Sequence, residues 1–237
     1  MNDNSSRRVI AVVGMHRSGT SCLTGSLQQI GLELGQVHTW NRYNRRGNRE
    51  QQDIVDLNDE VMAANGGAWD QPPAQCHWTS EQLAKARELV SALGDGPVVG
   101  FKDPRTLITL DGWLQAIPEL EFVGAFRHPD AVAASLAVRS AMPRDQALAL
   151  WRGYNRRLWS LWRRRRFPLV DFDLDADAYL RCVTRVAQEL QLDPQGMTAS
   201  FFDQGLRTSQ AESGSTALPY ADKLLHWRLG RRARRWQ

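Results

Sequence analysis

Residues 9–21 read Val-Ile-Ala-Val-Val-Gly-Met-His-Arg-Ser-Gly-Thr-Ser. The apolar run at 9–13 predicts a strand. Gly14 and Gly19 then punctuate a tight loop. Leu23, Leu27 and Ile30 recur at helical spacing beyond it. The strand–loop–helix order is the setting of the phosphate-loop pattern G-x-x-x-x-G-K-[ST]. Gly14, Gly19 and Ser21 occupy their places in that pattern, but Thr20 stands where the lysine belongs, and Arg17 supplies a cation from inside the loop. Such a loop offers backbone N–H groups at a helix N-terminus to an anion. It lacks the lysine that nucleoside triphosphatases direct at the β- and γ-phosphates. The expected ligand is phosphate-like, and not Mg-ATP held in the usual way.

Outward from this loop, apolar runs alternate with helical patterns, which predicts an α/β domain with a mostly parallel sheet. Strands are expected at 9–13, 97–101, 121–126 and 169–172, with a short one at 31–34. Helices are expected at 19–30, 50–64, 79–93, from Pro129 onward, at 144–165 and at 177–190. A short packed helix around Trp113 is expected at 111–117. Thr79 and Gln82 form a capping-box pair for the third of these helices. Leu148, Trp151, Leu158, Leu161 and Trp162 mark the inward face of the long helix at 144–165. The segment from Thr208 is weakly patterned. The expected organisation is one domain over residues 1–207 and a basic C-terminal tail over 208–237, packed in part on that domain.

The chain has 237 residues, enough for one domain with its own core. Its 42% hydrophobic and 24% charged content is that of a globular protein. No apolar run is long enough to span a membrane, and the polar start of the chain is unlike a signal peptide. Cys22, Cys76 and Cys182 form neither a metal pattern nor an even disulfide framework. A cytoplasmic setting is expected from these features. The net charge is +4, and the cations are nearly all arginine, since only Lys85, Lys102 and Lys223 are lysines. Two arginine clusters, at 163–166 and 231–235, read as solvated helix faces or tail before they read as a nucleic-acid surface. A basic surface also suits an anionic cofactor or acceptor.

In sheets of this kind ligands sit at the carboxyl ends of the strands. That rule gathers the 14–21 loop, Lys102-Asp103-Pro104-Arg105, Arg127-His128-Pro129 and residues 171–173 on one edge. Arg127 ends a strand and Ser135 follows on the next helix, so a guanidinium and a hydroxyl can pinch one phosphate.

Together, these motifs resemble the sulfotransferase family that uses 3′-phosphoadenosine 5′-phosphosulfate (PAPS). In that family the first loop binds the 5′-phosphosulfate; here it reads His16-Arg17-Ser18-Gly19-Thr20-Ser21. An arginine followed eight residues later by a serine binds the 3′-phosphate; here these are Arg127 and Ser135. The resemblance covers roughly residues 9–207 and is nearest to bacterial members with a Trp-Asn…Gly…Glu segment and a Lys-Asp-Pro-Arg turn. Those read here Trp40-Asn41, Gly47, Glu50 and 102–105. Protein-tyrosine sulfotransferases carry a similar turn, with catalytic roles for the loop arginine, a glutamate and that lysine. The resemblance therefore implies a single-domain, three-layer fold of the P-loop-NTPase-like type, with a central mostly parallel sheet flanked by helices. It also implies PAPS as donor, PAP as product, no metal, and a hydroxyl or amine acceptor on a saccharide or small molecule. The implied donor-binding residues are Gly14, His16, Arg17, Ser18, Gly19, Thr20, Ser21, Arg127 and Ser135. Arg17, Glu50 and Lys102 are the implied catalytic residues.

The chain departs from the family in several places, among them the histidine base of the small-phenol enzymes, which has no clear counterpart here. Cys22 stands where many members place an aromatic that stacks on adenine. The C-terminal Gly-x-x-Gly-x-x-Lys loop is absent, with Leu206-Arg207 in its stead and Arg207 assigned to the 3′-phosphate. Physical logic agrees with the resemblance. Sulfuryl transfer is an in-line displacement that needs fixed cations and donors around developing charge, and Arg17 and Lys102 are the candidates. The acceptor needs a base within hydrogen-bond reach; Glu50 is the first choice and His38 the rival. Asp103 either orients Lys102 or serves the turn. The alternative is a P-loop small-molecule kinase using ATP, with Asp171 and Asp173 as metal-binding carboxylates. A third reading is a non-catalytic nucleotide- or nucleic-acid-binding protein. No nucleic-acid partner is expected under the leading reading, and the sequence sets no oligomeric state.

Overall fold

A computed structural model describes residues 7–40, 47–193, 195 and 217–237. Four parallel strands form the sheet: β1 Arg8–Val13, β2 Val98–Lys102, β3 Glu121–Phe126 and β4 Leu169–Asp171, in the order β2-β1-β3-β4. β1 is an inner strand because its side chains are apolar on both faces, as a strand covered on two sides requires. Ile10 and Val12 enter one core layer with Leu23, Leu27, Tyr179 and Val183. Ala11 and Val13 enter the other, with Ile54, Phe101, Trp113, Trp151 and Leu158.

The first layer is built on α1, Thr20–Gln29, and α7, Ala176–Glu189. The second holds α2, Gln52–Ala64; α3, Ser80–Ser91; α4, Leu110–Ala116; α5, Pro129–Ser140; and α6, Arg144–Arg165. The result is the expected three-layer α/β fold. Thr79 and Gln82 close the capping box at α3, with Thr79 Oγ1 accepting from the Gln82 amide at 3.2 Å.

Two expectations change. The segment at 31–34 is not a full strand. Glu33 alone bridges to Val99, while Leu32 and Leu34 bury their side chains. The chain then leaves the sheet edge, and the His38 amide donates to the Glu50 carbonyl at 3.0 Å. The weakly patterned C-terminal segment contains a further helix, α8, Tyr220–Ala233. Leu225, Leu229 and Ala233 bury one face of it. Asp222, fully buried, accepts from Arg152 Nε at 2.6 Å and Nη2 at 2.8 Å, which clamps α8 to α6.

The loops leaving β1 and β3 diverge, since β1 leads to the β2 side and β3 to the β4 side. The crevice between their carboxyl ends is where open α/β sheets bind ligands.

Candidate functional site

The loop after β1 fits its place through its glycines. Gly14 has φ +153°, and a Cβ there would lie 2.3 Å from the Ala125 carbonyl oxygen on β3. Gly19 has φ +83°, and a Cβ there would run into the Phe172 ring. Only glycine allows the backbone to press this close. Arg17 takes a left-handed conformation, φ 65°, that side chains with a Cβ adopt at a cost. That turn sends its guanidinium across to α5, where Nε donates to Ser135 Oγ at 2.7 Å. The two motifs picked from the sequence therefore meet through Arg17 and Ser135. Burial, followed by the neighbouring Arg139 and Arg127, lowers the Arg17 guanidinium to about 10. It remains charged at neutral pH, and the crowding of like charges favours a bound anion.

Arg127, at the end of β3, is buried. Its Nε pairs with Asp173 Oδ1 at 3.3 Å, and its guanidinium lies 5.5 Å from the Phe172 ring centre. The same Asp173 accepts from the His128 amide, and Asp171 Oδ1 accepts from the Asp173 amide at 3.0 Å. These two carboxylates thus serve the turn after β4 and aim Arg127.

Lys102 ends β2 and is 1% exposed. Its Nζ lies 2.6 Å from Glu50 Oε1 and 3.3 Å from Ser21 Oγ. The expected partners from the loop, the polar segment and the Lys-Asp-Pro-Arg turn therefore come together. Gln51 holds this arrangement from behind, donating to the Leu34 and Gly100 carbonyls at 2.8 and 3.1 Å. Asp103 does not orient Lys102. It accepts from the Arg105 amide and guanidinium at 3.1 and 3.0 Å and from Asn58 Nδ2 at 2.9 Å. Burial raises the Asp103 carboxyl above its ordinary value, against the pull of Arg105. His38, the rival base, is exposed and meets Glu50 through backbone bonds.

His16 is buried between Trp69 and Tyr154, with ring centres 4.8 and 5.8 Å away. Burial, then the surrounding Arg105, Arg139, Lys102 and Arg17, holds it well below its ordinary value, so it is neutral. Its Nε2 and the hydroxyl of Ser18 are buried without a hydrogen-bond partner among the described residues. Thr20 starts α1 and is buried. Arg207 and Asn41 lie outside the described residues.

Two residues were missed by sequence reasoning. Arg139, on α5, joins the positive field around Arg17 and His16. Phe172 presents an aromatic ring beside Gly19 and Arg127. No local spacing in the sequence singles out either residue. Cys22 is half-buried and packs against the α1–α7 core. Among the described residues no His, Cys, Asp and Glu cluster is placed to hold a metal, and no helix is long and apolar enough to cross a membrane.

No family model and no curated protein sequence matches this chain. Among solved structures it is similar to the sulfotransferase domain from the Synechococcus PCC 7002 olefin synthase. The TM-score is 0.60 at 16% sequence identity, over 94% of each chain. The fold is that of a sulfotransferase domain. The sulfotransferase STF1 from Mycobacterium tuberculosis H37Rv also matches, at 16% identity and TM-score 0.45, over 94% of this chain and 76% of that one. The sulfotransferase fold places the loop after β1, Arg127 and Lys102 on one edge of the sheet, where their side chains gather.

Proposed function

We propose that this chain is a sulfotransferase that moves the sulfuryl group of PAPS to a hydroxyl or amine of a saccharide or small-molecule acceptor. The observation that carries the reading is the junction of Arg17, Ser135 and Arg127 at the β1–β3 crevice. It places cations from two motifs in one buried field. The residues fit such a donor. Among the described residues the Ser18 hydroxyl and His16 Nε2 are buried without a partner, and the loop's glycines let backbone amides approach an anion.

PAPS, when bound, supplies the sulfuryl group and a nucleotide leaving group. Arg127 and Ser135 are assigned to the 3′-phosphate. The 16–21 loop is assigned to the 5′-phosphosulfate. Arg17 and Lys102 would offer fixed positive charge to the oxygen that parts from the sulfuryl group. Phe172 offers a face for adenine in place of the aromatic that Cys22 does not supply. Glu50 is assigned the acceptor proton. Its Oε1 pairs with Lys102 and its Oε2 lies 3.4 Å from Asn48 Nδ2, so the carboxylate is oriented before the acceptor arrives. Asp171 and Asp173 are engaged with the turn and Arg127, which favours this reading over the ATP-dependent kinase.

The test is calorimetric titration with 3′-phosphoadenosine 5′-phosphate, AMP and ATP-Mg²⁺. Micromolar binding of the bisphosphate, with AMP far weaker, is the expected result. Preference for ATP-Mg²⁺ overturns the sulfotransferase reading.

A further inference from the structure

We propose that α8 and the last turns of α6 form a docking surface for an anionic lipid bilayer. The inference is independent of the donor chemistry above. α8 has one buried face, Asp222, Leu225, Leu229 and Ala233. The opposite face carries Tyr220, Leu224, Trp227 and Arg231, spaced so that they fall in one stripe along the helix. Tyr220 is 79% exposed and Trp227 51%. Lys223, Arg228, Arg234 and Arg235 flank that stripe and are exposed. The only acidic residue of α8 is Asp222, which is buried against Arg152.

The basic face does not stop at α8. Arg166, just past α6, lies 4.4 Å from the Trp162 ring centre, and Arg232 of α8 lies 5.2 Å from the same ring. The arginines at 163–166 are exposed, and no acidic residue occurs in the sequence between 146 and 170. The two basic runs therefore meet at one indole and form a continuous surface on two helices. Further guanidiniums sit by rings, Arg231 at Trp227 and Arg235 at Trp236. Two exposed aromatics edged by cations match the composition of a segment seated at the headgroup level of a membrane. The charge is complementary to an anionic leaflet, whose attraction grows with each basic residue near it. A planar partner reaches both helices at once, which favours a bilayer over a duplex gripped in a groove.

The test is co-sedimentation of the full chain with phosphatidylcholine vesicles, with or without about 30% phosphatidylserine. The expected result is binding to the anionic vesicles alone, lost at about 0.5 M salt, where screening shortens the reach of charge. The triple variant R228E/R231E/R235E is expected to bind about 100-fold more weakly, with circular dichroism and melting unchanged because all three positions are exposed. Trp227→Ala is expected to weaken binding about tenfold. Equal binding to neutral and anionic vesicles, or full binding by the triple variant, overturns the proposal. An unchanged Trp227→Ala variant overturns the seating of the ring in the interface. Tighter binding to a duplex oligonucleotide than to vesicles, at equal phosphate, assigns the surface to nucleic acid instead.

Discussion

Arg17 is held in a backbone conformation that costs energy, and its guanidinium is bonded to Ser135. Strain of this kind persists where surrounding contacts over-determine it. Replacing Arg17 with alanine removes the cation while leaving the glycine turns intact. It is expected to abolish sulfuryl transfer with the fold retained, as single-turnover assays and circular dichroism would show. Retained turnover would take Arg17 out of the mechanism. Arg127→Ala is expected to weaken binding of the 3′-phosphorylated nucleotide far more than that of its 5′-monophosphate counterpart, read by calorimetry. Equal losses would place the 3′-phosphate elsewhere. In the proposed reading Phe172 serves the base rather than the phosphates. Phe172→Ala is expected to weaken bisphosphate binding about tenfold, the scale of one aromatic–base contact, while inorganic anions that lack a base are unaffected.

Among the elements, α8 depends on one ion pair more than on its propensity. Its apolar face is narrow, and the buried carboxylate of Asp222 is bound bidentately by Arg152. Asp222→Ala leaves Arg152 unpaired beside an apolar contact. Arg152 is partly exposed and regains some water, so the expected loss is about 2 kcal/mol, a fall in melting temperature of about 4–8 °C. An unchanged melting temperature would show that α8 is held by apolar contact alone.

The same helix shows what the sequence leaves hidden. Leu225, Leu229 and Ala233 repeat every four residues, but arginines crowd the intervening positions, and no side-chain cap marks its start. β1 and β3 were legible because unbroken apolar runs end in turn residues. The segment at 31–34 misled because Leu32 and Leu34 alternate like a strand, yet one bridge suffices to bury both. In the site, Arg17, Glu50 and Lys102 were each named from the sequence, whereas the 2.6 Å pairing of Lys102 with Glu50 is set by the fold. Arg139 and Phe172 were not named, because their place at the site depends on how α5 and β4 lie against the first loop, which no local spacing encodes.

For the molecule as a whole, acid stability is set partly by neutral histidines. Burial first, then His128, lowers His226 from 6.5 to about 4, against the opposing pull of Asp173. The unfolded chain thus binds the proton more readily, so this contribution is intact above pH 6.5 and fades as pH falls toward 4. His16 acts in the same direction, while the raised carboxyl of Asp103 acts in the opposite one. The difference between the parent and His226→Phe isolates the contribution of His226. Between those pH values the parent is expected to lose on the order of 3 kcal/mol more than the variant in urea titrations. Parallel pH profiles would contradict the burial argument. The strand order carries a further consequence, for biosynthesis. β1 is an inner strand and the first of the four to leave the ribosome, but its partners begin at Val98 and Glu121. At ordinary translation speeds the apolar run at 9–13 waits roughly 5–20 s for the second of them. During that interval its unpaired edges are open to other nascent chains, so the yield of folded protein should depend on chaperone supply and elongation rate more than the stability of the finished sheet would imply.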